Sequence, residues 1–414
     1  MRAWPSLYIP QLPEQFNVPE LSLYDTADQN QKKIPLQTDY RLYVCGITPY
    51  DATHLGHAAT YITFDIINRY LRARGGDVHF VQNITDIDDP LLERARRDSV
   101  DWQSLAHSQI ELFRSDMSAL HVLPPENYVG VTEAMPIVID AVESLIRQGT
   151  TYEVAGDIYF RVHADRDFGS RSHLEEAKAR ELFAERGGDP ERVGKENPFD
   201  ALIWLRSKPL DPTWESPMGA GRPGWHIECS AIALRYLDSD SNNREFSLDI
   251  QGGGSDLIFP HHEMSAAQSR ILSGKPFARH YVHAGMIGLD GTKMSKSLGN
   301  LLFVSKLINE GVPPMAIRWA LLNRHYREDF MWSKSHLDSA IEDIQRLQLN
   351  LSRVEVAPTD GVITTIIQFL ADDLNSPQAI ATVRNWCEET EKGARGGNAG
   401  ELSRAIDALL GIAL

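Results

Sequence analysis

Between Arg41 and Gln82 the sequence spells out one supersecondary unit, and that unit restricts the fold more than any other stretch. Arg41-Leu42-Tyr43-Val44-Cys45 reads as a buried strand, and Gly46-Ile47-Thr48-Pro49 breaks it. Over residues 56–74 the apolar positions Tyr61, Phe64, Ile67 and Leu71 recur at helical spacing. Gly75-Gly76 ends that helix, and Val78-His79-Phe80-Val81-Gln82 makes a second strand. Strand, turn, helix, turn, strand is a βαβ unit. It implies a parallel sheet with a ligand crevice at its carboxyl edge.

Around this unit, residues 1–37 read as an irregular entry with a short strand or two. Helices are expected over 89–121 and 132–149, and a polar stretch at 165–198 reads as inserted. The α/β character returns at 227–237, 247–250 and 280–287; beyond Asn300 the chain reads as mostly helical. The expected domains are an entry segment 1–37 and a catalytic domain 38–300 with an insertion at about 120–200. A linking helical region 301–334 and a helical domain 335–414 follow.

Composition narrows the function classes. The chain has 57 acidic against 41 basic side chains, a net charge of −16, which argues against broad nucleic-acid binding because phosphate contacts need Lys or Arg. No run approaches ~18 apolar residues, so no membrane span is expected. Three cysteines, Cys45, Cys229 and Cys387, are too few for a disulfide scaffold and fit a cytoplasmic protein. Nothing suggests a coiled coil or swapped arm, so a monomer is expected.

Two motifs carry phosphate chemistry. His54-Leu55-Gly56-His57 stands where the first strand turns into its helix, and a helix N-terminus suits a phosphate. Taken alone it reads first as a polar helix cap, with a metal pair, lacking a carboxylate at the expected offset, as a further reading. Lys293-Met294-Ser295-Lys296-Ser297 follows Gly288-Leu289-Asp290-Gly291 and reads as a mobile cationic clamp. Alone, two lysines three apart are an ordinary solvated face. Together the two motifs resemble the signature pair of class I aminoacyl-tRNA synthetases.

Cys45, Cys229 and His261 are a third constellation. Two thiolates and an imidazole suit zinc and leave a fourth position open, although each cysteine alone is as readily a small buried hydrophobe. Cys387 lacks polar neighbours of this kind and reads as core. Val44-Cys45-Gly46, Asn83-Ile84-Thr85-Asp86-Ile87-Asp88-Asp89, Gly224-Trp225-His226-Ile227-Glu228-Cys229 and Gly252-Gly253-Gly254-Ser255-Asp256 resemble the cysteinyl-tRNA synthetase family over roughly residues 38–330.

That resemblance implies a Rossmann-like class I catalytic domain with an inserted connective segment and a short C-terminal helical bundle. It also implies Zn2+ on Cys45, Cys229 and His261, with the substrate sulfur at the open position. His54, His57, Lys293 and Lys296 become the catalytic groups. Cys45, Gly46, Ile47, Thr48, Thr60, Asn83, Ile84, Thr85, Trp225, Gly254, Ser255, Asp256 and Ile287 are implied around the adenylate. Mg2+ is expected with ATP, with no residue marking its site.

Several positions depart from the tRNA enzymes. His57 stands where many members have Asn, Gln251 replaces a His, and Ser265 stands at a further zinc-ligating Glu. The chain extends about 80 residues past Trp332, short for an anticodon-binding extension. Residues 335–414 carry twelve acidic against six basic side chains, a net of −6, a poor surface for an anticodon stem. These departures, with residues 46–57 and Glu185-Arg186-Gly187-Gly188-Asp189-Pro190, are similar to a sister family, the mycothiol cysteine ligases. That family implies L-cysteine, ATP and glucosaminyl-inositol as substrates and no nucleic acid. A cysteinyl-tRNA synthetase with a reduced tail is the alternative, and a catalytically dead sensor a third. Residues 238–244 read as an added loop.

Overall fold

The computed structural model describes the whole chain except Ala52, Leu210 and residues 239–243, 290–291 and 294–300, and gives only the backbone of Thr292 and Lys293. The lysine clamp and most of the added loop therefore lie outside the described residues. An antiparallel hairpin, β1 (Ser22–Asp25) and β2 (Asn30–Lys33), precedes β3 (Asp39–Val44), α1 (Leu55–Ala73) and β4 (Asp77–Ile84). Next come α2 (Asp89–Asp98), α3 (Trp102–Ala119), β5 (Asn127–Gly130) and α4 (Val131–Arg147).

Four antiparallel strands, β6 (Thr151–Val154), β7 (Asp157–Phe160), β8 (Ala201–Arg206) and β9 (Gly221–Pro223), form a separate sheet, with α5 (Glu176–Glu185) between β7 and β8. The chain then returns through α6 (Trp225–Leu237), β10 (Leu248–Gly254), α7 (Glu263–Ser273) and β11 (Ala278–Ala284). Short strands β12 (Ile287–Leu289), β13 (Thr292–Lys293) and β14 (Phe330–Trp332) flank α8 (Val304–Asn309) and α9 (Pro314–Leu322). Four helices close the chain: α10 (Lys334–Leu351), α11 (Asp360–Ala371), α12 (Ser376–Glu391) and α13 (Ala399–Leu410).

The central sheet is parallel throughout, in the order β11-β10-β3-β4-β5. The chain order reverses between β3 and β10, so the crevice of a doubly wound sheet opens at the carboxyl ends of those two strands. Both sheet faces are covered. Leu42, Val44, Phe80, Ile250 and Val282 pack with α1 and the C-terminal helices, whereas Tyr43, Val81, Val129 and Tyr281 pack with α4, α6 and α7. α1 lies so close to β10 that a Cβ on Gly252 would sit 2.2 Å from the Phe64 ring.

The helical stretch expected over 89–121 is two helices. Ser99 ends α2 in the left-handed region (φ 53°), and the Asp101 side chain caps α3 by accepting from Ser104 N at 2.8 Å. Apolar periodicity continues across such a break and does not reveal it.

A buried ionic cluster fastens α1 to the C-terminal helices. Asp65 accepts from Arg69 Nε at 2.8 Å and from Leu123 N at 2.8 Å, and Arg318 reaches the same carboxylate. The guanidinium groups also donate outward: Arg69 to Asp407 O (2.8 Å) and His121 O (2.8 Å), Arg318 to Leu410 O (2.7 Å) and Leu120 O (2.9 Å). All three side chains are 0% exposed. Burial works against the Asp65 charge, but Arg69 and Arg318 outweigh it and hold the carboxyl below its ordinary range. Burial pushes Arg318 down to about 10, so it stays cationic at neutral pH. Removing one partner strands the others, so Arg318→Met should cost about 3–5 kcal/mol in urea unfolding. A loss below about 1 kcal/mol would show that the cluster does not hold these helices.

Candidate active site

Three elements converge on the crevice. Cys45 follows β3 and donates its backbone N–H to Gly252 O of β10 at 3.0 Å. Cys229 lies in the first turns of α6. His261 comes from the irregular turn between β10 and α7, where Phe259 takes an extended conformation (φ −141°, ψ 136°) inside an otherwise helical run. Side-chain donor atoms of the three lie within 4.8 Å of one another, all buried. His261 Nε2 is 3.2 Å from Cys229 Sγ, its Nδ1 meets His226 Nδ1 at 2.9 Å, and its ring stacks on Trp225 at 4.2 Å.

Burial opposes ionisation of both thiols. Hydrogen bonding from Cys45 and His261 overcomes this at Cys229 and holds its thiol well below the ordinary range, whereas burial and the neighbouring Cys229 push Cys45 up. Sulfur, sulfur and nitrogen donors in a dry pocket, with the ligand imidazole oriented through its second nitrogen, fit a divalent metal of soft preference. Ser265 does not join them: its hydroxyl donates to His261 O at 2.8 Å, back along its own helix.

The nucleotide side of the crevice is built on Asn83. Its Oδ1 accepts from Gly46 N (2.8 Å) and Tyr43 Oη (3.0 Å), and its Nδ2 donates to Thr85 Oγ1 (3.2 Å). Thr85 N donates to Ile47 O at 3.1 Å, so the loop through Thr48 is tied to the end of β4 at Ile84. A Cβ on Gly46 would fall 1.5 Å from Asn83 O, so only glycine lets these two loops meet. Across the crevice, Gly254, Ser255 and Asp256 leave β10 half-buried, with Thr60 Oγ1 3.9 Å from the Cβ position of Gly254. Ile287 is buried at the start of β12.

His54 caps α1, accepting at Nδ1 from Gly56 N (3.1 Å) and His57 N (3.4 Å). The rings of His54 and His57 stack at 3.7 Å. Burial pushes His54 down to about 4 and His57 well below the ordinary imidazole range, so both are neutral near pH 7.

The structure adds partners and roles that the residue patterns do not assign. Cys45 Sγ lies 3.2 Å from His262 Nε2; His262 Nδ1 meets His283 Nε2 at 2.7 Å, and His283 Nδ1 meets Thr26 Oγ1 at 2.8 Å. The adjacent His261-His262 pair was the available signal, but His283 and Thr26 arrive from distant elements. Glu228 is buried and Asp88 half-buried; burial raises both carboxyls, Asp88 to about 6. Arg186, just past the end of α5, donates to Asp256 O and Phe259 O, bracing the turn that delivers His261. Glu263, at the start of α7, accepts from Gly169 N (2.9 Å), Ser172 N (2.9 Å) and Arg171 (2.8 Å).

The chain matches the family model described as tRNA synthetases class I (C) catalytic domain over residues 32–342. It is 51% identical to an L-cysteine:1D-myo-inositol 2-amino-2-deoxy-alpha-D-glucopyranoside ligase of Nocardia farcinica and 50% identical to one of Streptomyces coelicolor, each alignment covering 100% of both chains. In fold it is similar to Mycobacterium tuberculosis methionyl-tRNA synthetase in complex with methionyl-adenylate, with a TM-score of 0.63 at 18% identity over 91% of this chain and 89% of that one.

The donor set predicts that apo-protein titrated with Co2+ develops sulfur-to-cobalt charge-transfer absorption, and that Cys229→Ala abolishes it. Arg186→Met should weaken cobalt affinity about tenfold, with Arg186→Lys falling between, because supports of metal ligands carry effects of that order. Unchanged affinity in Arg186→Met would mean the brace is idle.

Proposed function

Because the chain belongs to the class I tRNA synthetase (C) family, and within it to the L-cysteine:1D-myo-inositol 2-amino-2-deoxy-alpha-D-glucopyranoside ligases, we propose that it joins L-cysteine to the amine of glucosaminyl-inositol at the expense of ATP. The observation that carries this reading is the meeting of Cys45, Cys229 and His261 at the sheet edge where α1 presents His54 and His57.

In the first step the cysteine carboxylate attacks the α-phosphorus of ATP, forming cysteinyl-adenylate and releasing pyrophosphate. Gly46, Ile47, Thr48, Thr60, Asn83, Ile84, Thr85, Trp225, Gly254, Ser255, Asp256 and Ile287 form the bed for the adenylate, with Asp256 accepting from a ribose hydroxyl. His54 and His57, neutral at rest, direct ring N–H groups at the phosphates at the positive end of α1. Lys293 and Lys296 close over the departing pyrophosphate, and Mg2+ accompanies ATP. In the second step the sugar amine attacks the activated carbonyl. The C–N bond forms, the acyl–phosphate bond breaks, AMP leaves, and the amine gives up a proton.

Zn2+ held by Cys45, Cys229 and His261 would supply a soft Lewis-acid position that prefers a thiolate to a hydroxyl. Cysteine is thus selected over serine by chemistry rather than by size. We assign activation to residues 38–300, closure to the segment before 301–334, and a supporting role to 335–414. The enzyme works as a monomer in the cytoplasm; no helix among the described residues is long and apolar enough to cross a membrane.

Offered ATP and cysteine, the protein should exchange pyrophosphate into ATP, and should release AMP stoichiometrically with amide formation when glucosaminyl-inositol is added. Cysteine transfer to tRNA with none to the sugar would overturn this reading. Exchange supported equally by serine would overturn the role given to the metal site.

A further inference from the structure

We propose that the inositol-bearing end of the acceptor docks in a cavity of about 520 Å³ beside the histidine turn, lined by Asp51, Arg94, Gln109, Phe303, Lys306 and Asn309 among others. This rests on the ligase reading, since it names where that reaction's second substrate sits.

Position is the first argument. A second cavity, about 330 Å³, is walled by Ala278, Arg279, His280 and Tyr281, where β11 begins, and so lies at the amino edge of the sheet, away from the crevice. The larger one lies at the carboxyl edge. Asp51 belongs to the loop that starts at Gly46. Phe303 pairs through its backbone with His54, and Leu55 N→Leu302 O (2.9 Å) and Val304 N→Thr53 O (3.0 Å) extend the same join. One wall of the cavity and the phosphate-facing turn are therefore a single hydrogen-bonded unit. Tyr50, half-buried beside Asp51, belongs to the same loop.

Chemistry is the second argument. Among the described residues of the lining, Asp51 and Glu310 balance Arg94 and Lys306, and Arg94 is further engaged by Asp51 (2.8 Å) and Asp98 (3.2 Å). A charge-balanced pocket is wrong for pyrophosphate and for an RNA backbone, both of which need excess cation. Amides, carboxylates and a hydroxyl from Gln109, Asn309, Asp51, Glu310 and Ser305 suit the paired donors and acceptors of a polyol, and the Phe303 ring offers an apolar wall for a C–H face. The volume lies within the roughly 300–1,000 Å³ of small-molecule sites.

Gln109→Ala and Asn309→Ala should each raise the KM for glucosaminyl-inositol about tenfold while cysteine-dependent ATP–pyrophosphate exchange and the KM values for ATP and cysteine stay unchanged. Ser305→Trp, which fills the cavity, should abolish transfer and spare exchange. Free myo-inositol should compete with the acceptor in the wild type and lose potency in both alanine variants. An unchanged acceptor KM in all three variants overturns the docking site. An equal loss of exchange overturns it too, by assigning the cavity to the nucleotide. If the wild type exchanges pyrophosphate yet transfers nothing to the sugar, it is the ligase reading that fails.

Discussion

Two thiols and an imidazole within 4.8 Å of one another, all buried, are the constraint around which the crevice is arranged. Polar donors removed from water need partners, and here two of the three are held by further groups: His226 behind His261, and His262, His283 and Thr26 behind Cys45. The three donors come from the end of β3, the first turns of α6 and the turn before α7. A parallel sheet whose chain order reverses between β3 and β10 brings those places to one edge. The same edge receives the N-terminus of α1, so the cysteine–histidine group and the His54–His57 turn are set side by side by topology.

Holding α1 in place falls to the opposite end of the helix. Asp65, Arg69 and Arg318 bind it to backbone carbonyls from the α3–β5 loop and from α13, a region that carries net negative charge. The C-terminal helices therefore act as a buttress for α1. A surface built for RNA would need the opposite charge. The antiparallel sheet inserted before α6 works from the other side, where Arg186 and the loop through Arg171 brace the turn carrying Asp256 and His261.

Much of this was legible because it is written locally. The βαβ unit follows from a change of apolar period between Arg41 and Gln82, and the entry segment does carry two short strands. Cys387 is core: it is buried in α12, with its thiol pushed up to about 12 by burial. The break at Ser99 was not legible, since one left-handed residue leaves the apolar period intact. Arg186 was opaque for a different reason. Its partners are carbonyls seventy and more positions away, and a backbone carbonyl has no identity in a sequence. The His283–Thr26 link depends on the register of β11 and the hairpin and is equally invisible. Lys293 and Lys296 stay outside this comparison, because the side chain of the first and the whole of the second lie beyond the described residues.

On the proposed reading, these parts unite in the selection of cysteine by its sulfur. X-ray absorption at the zinc edge tests that most directly. Zinc-loaded protein without substrate should show two sulfur neighbours, and three once cysteine is added, while serine leaves the count at two. A sulfur count unchanged by cysteine would contradict the account.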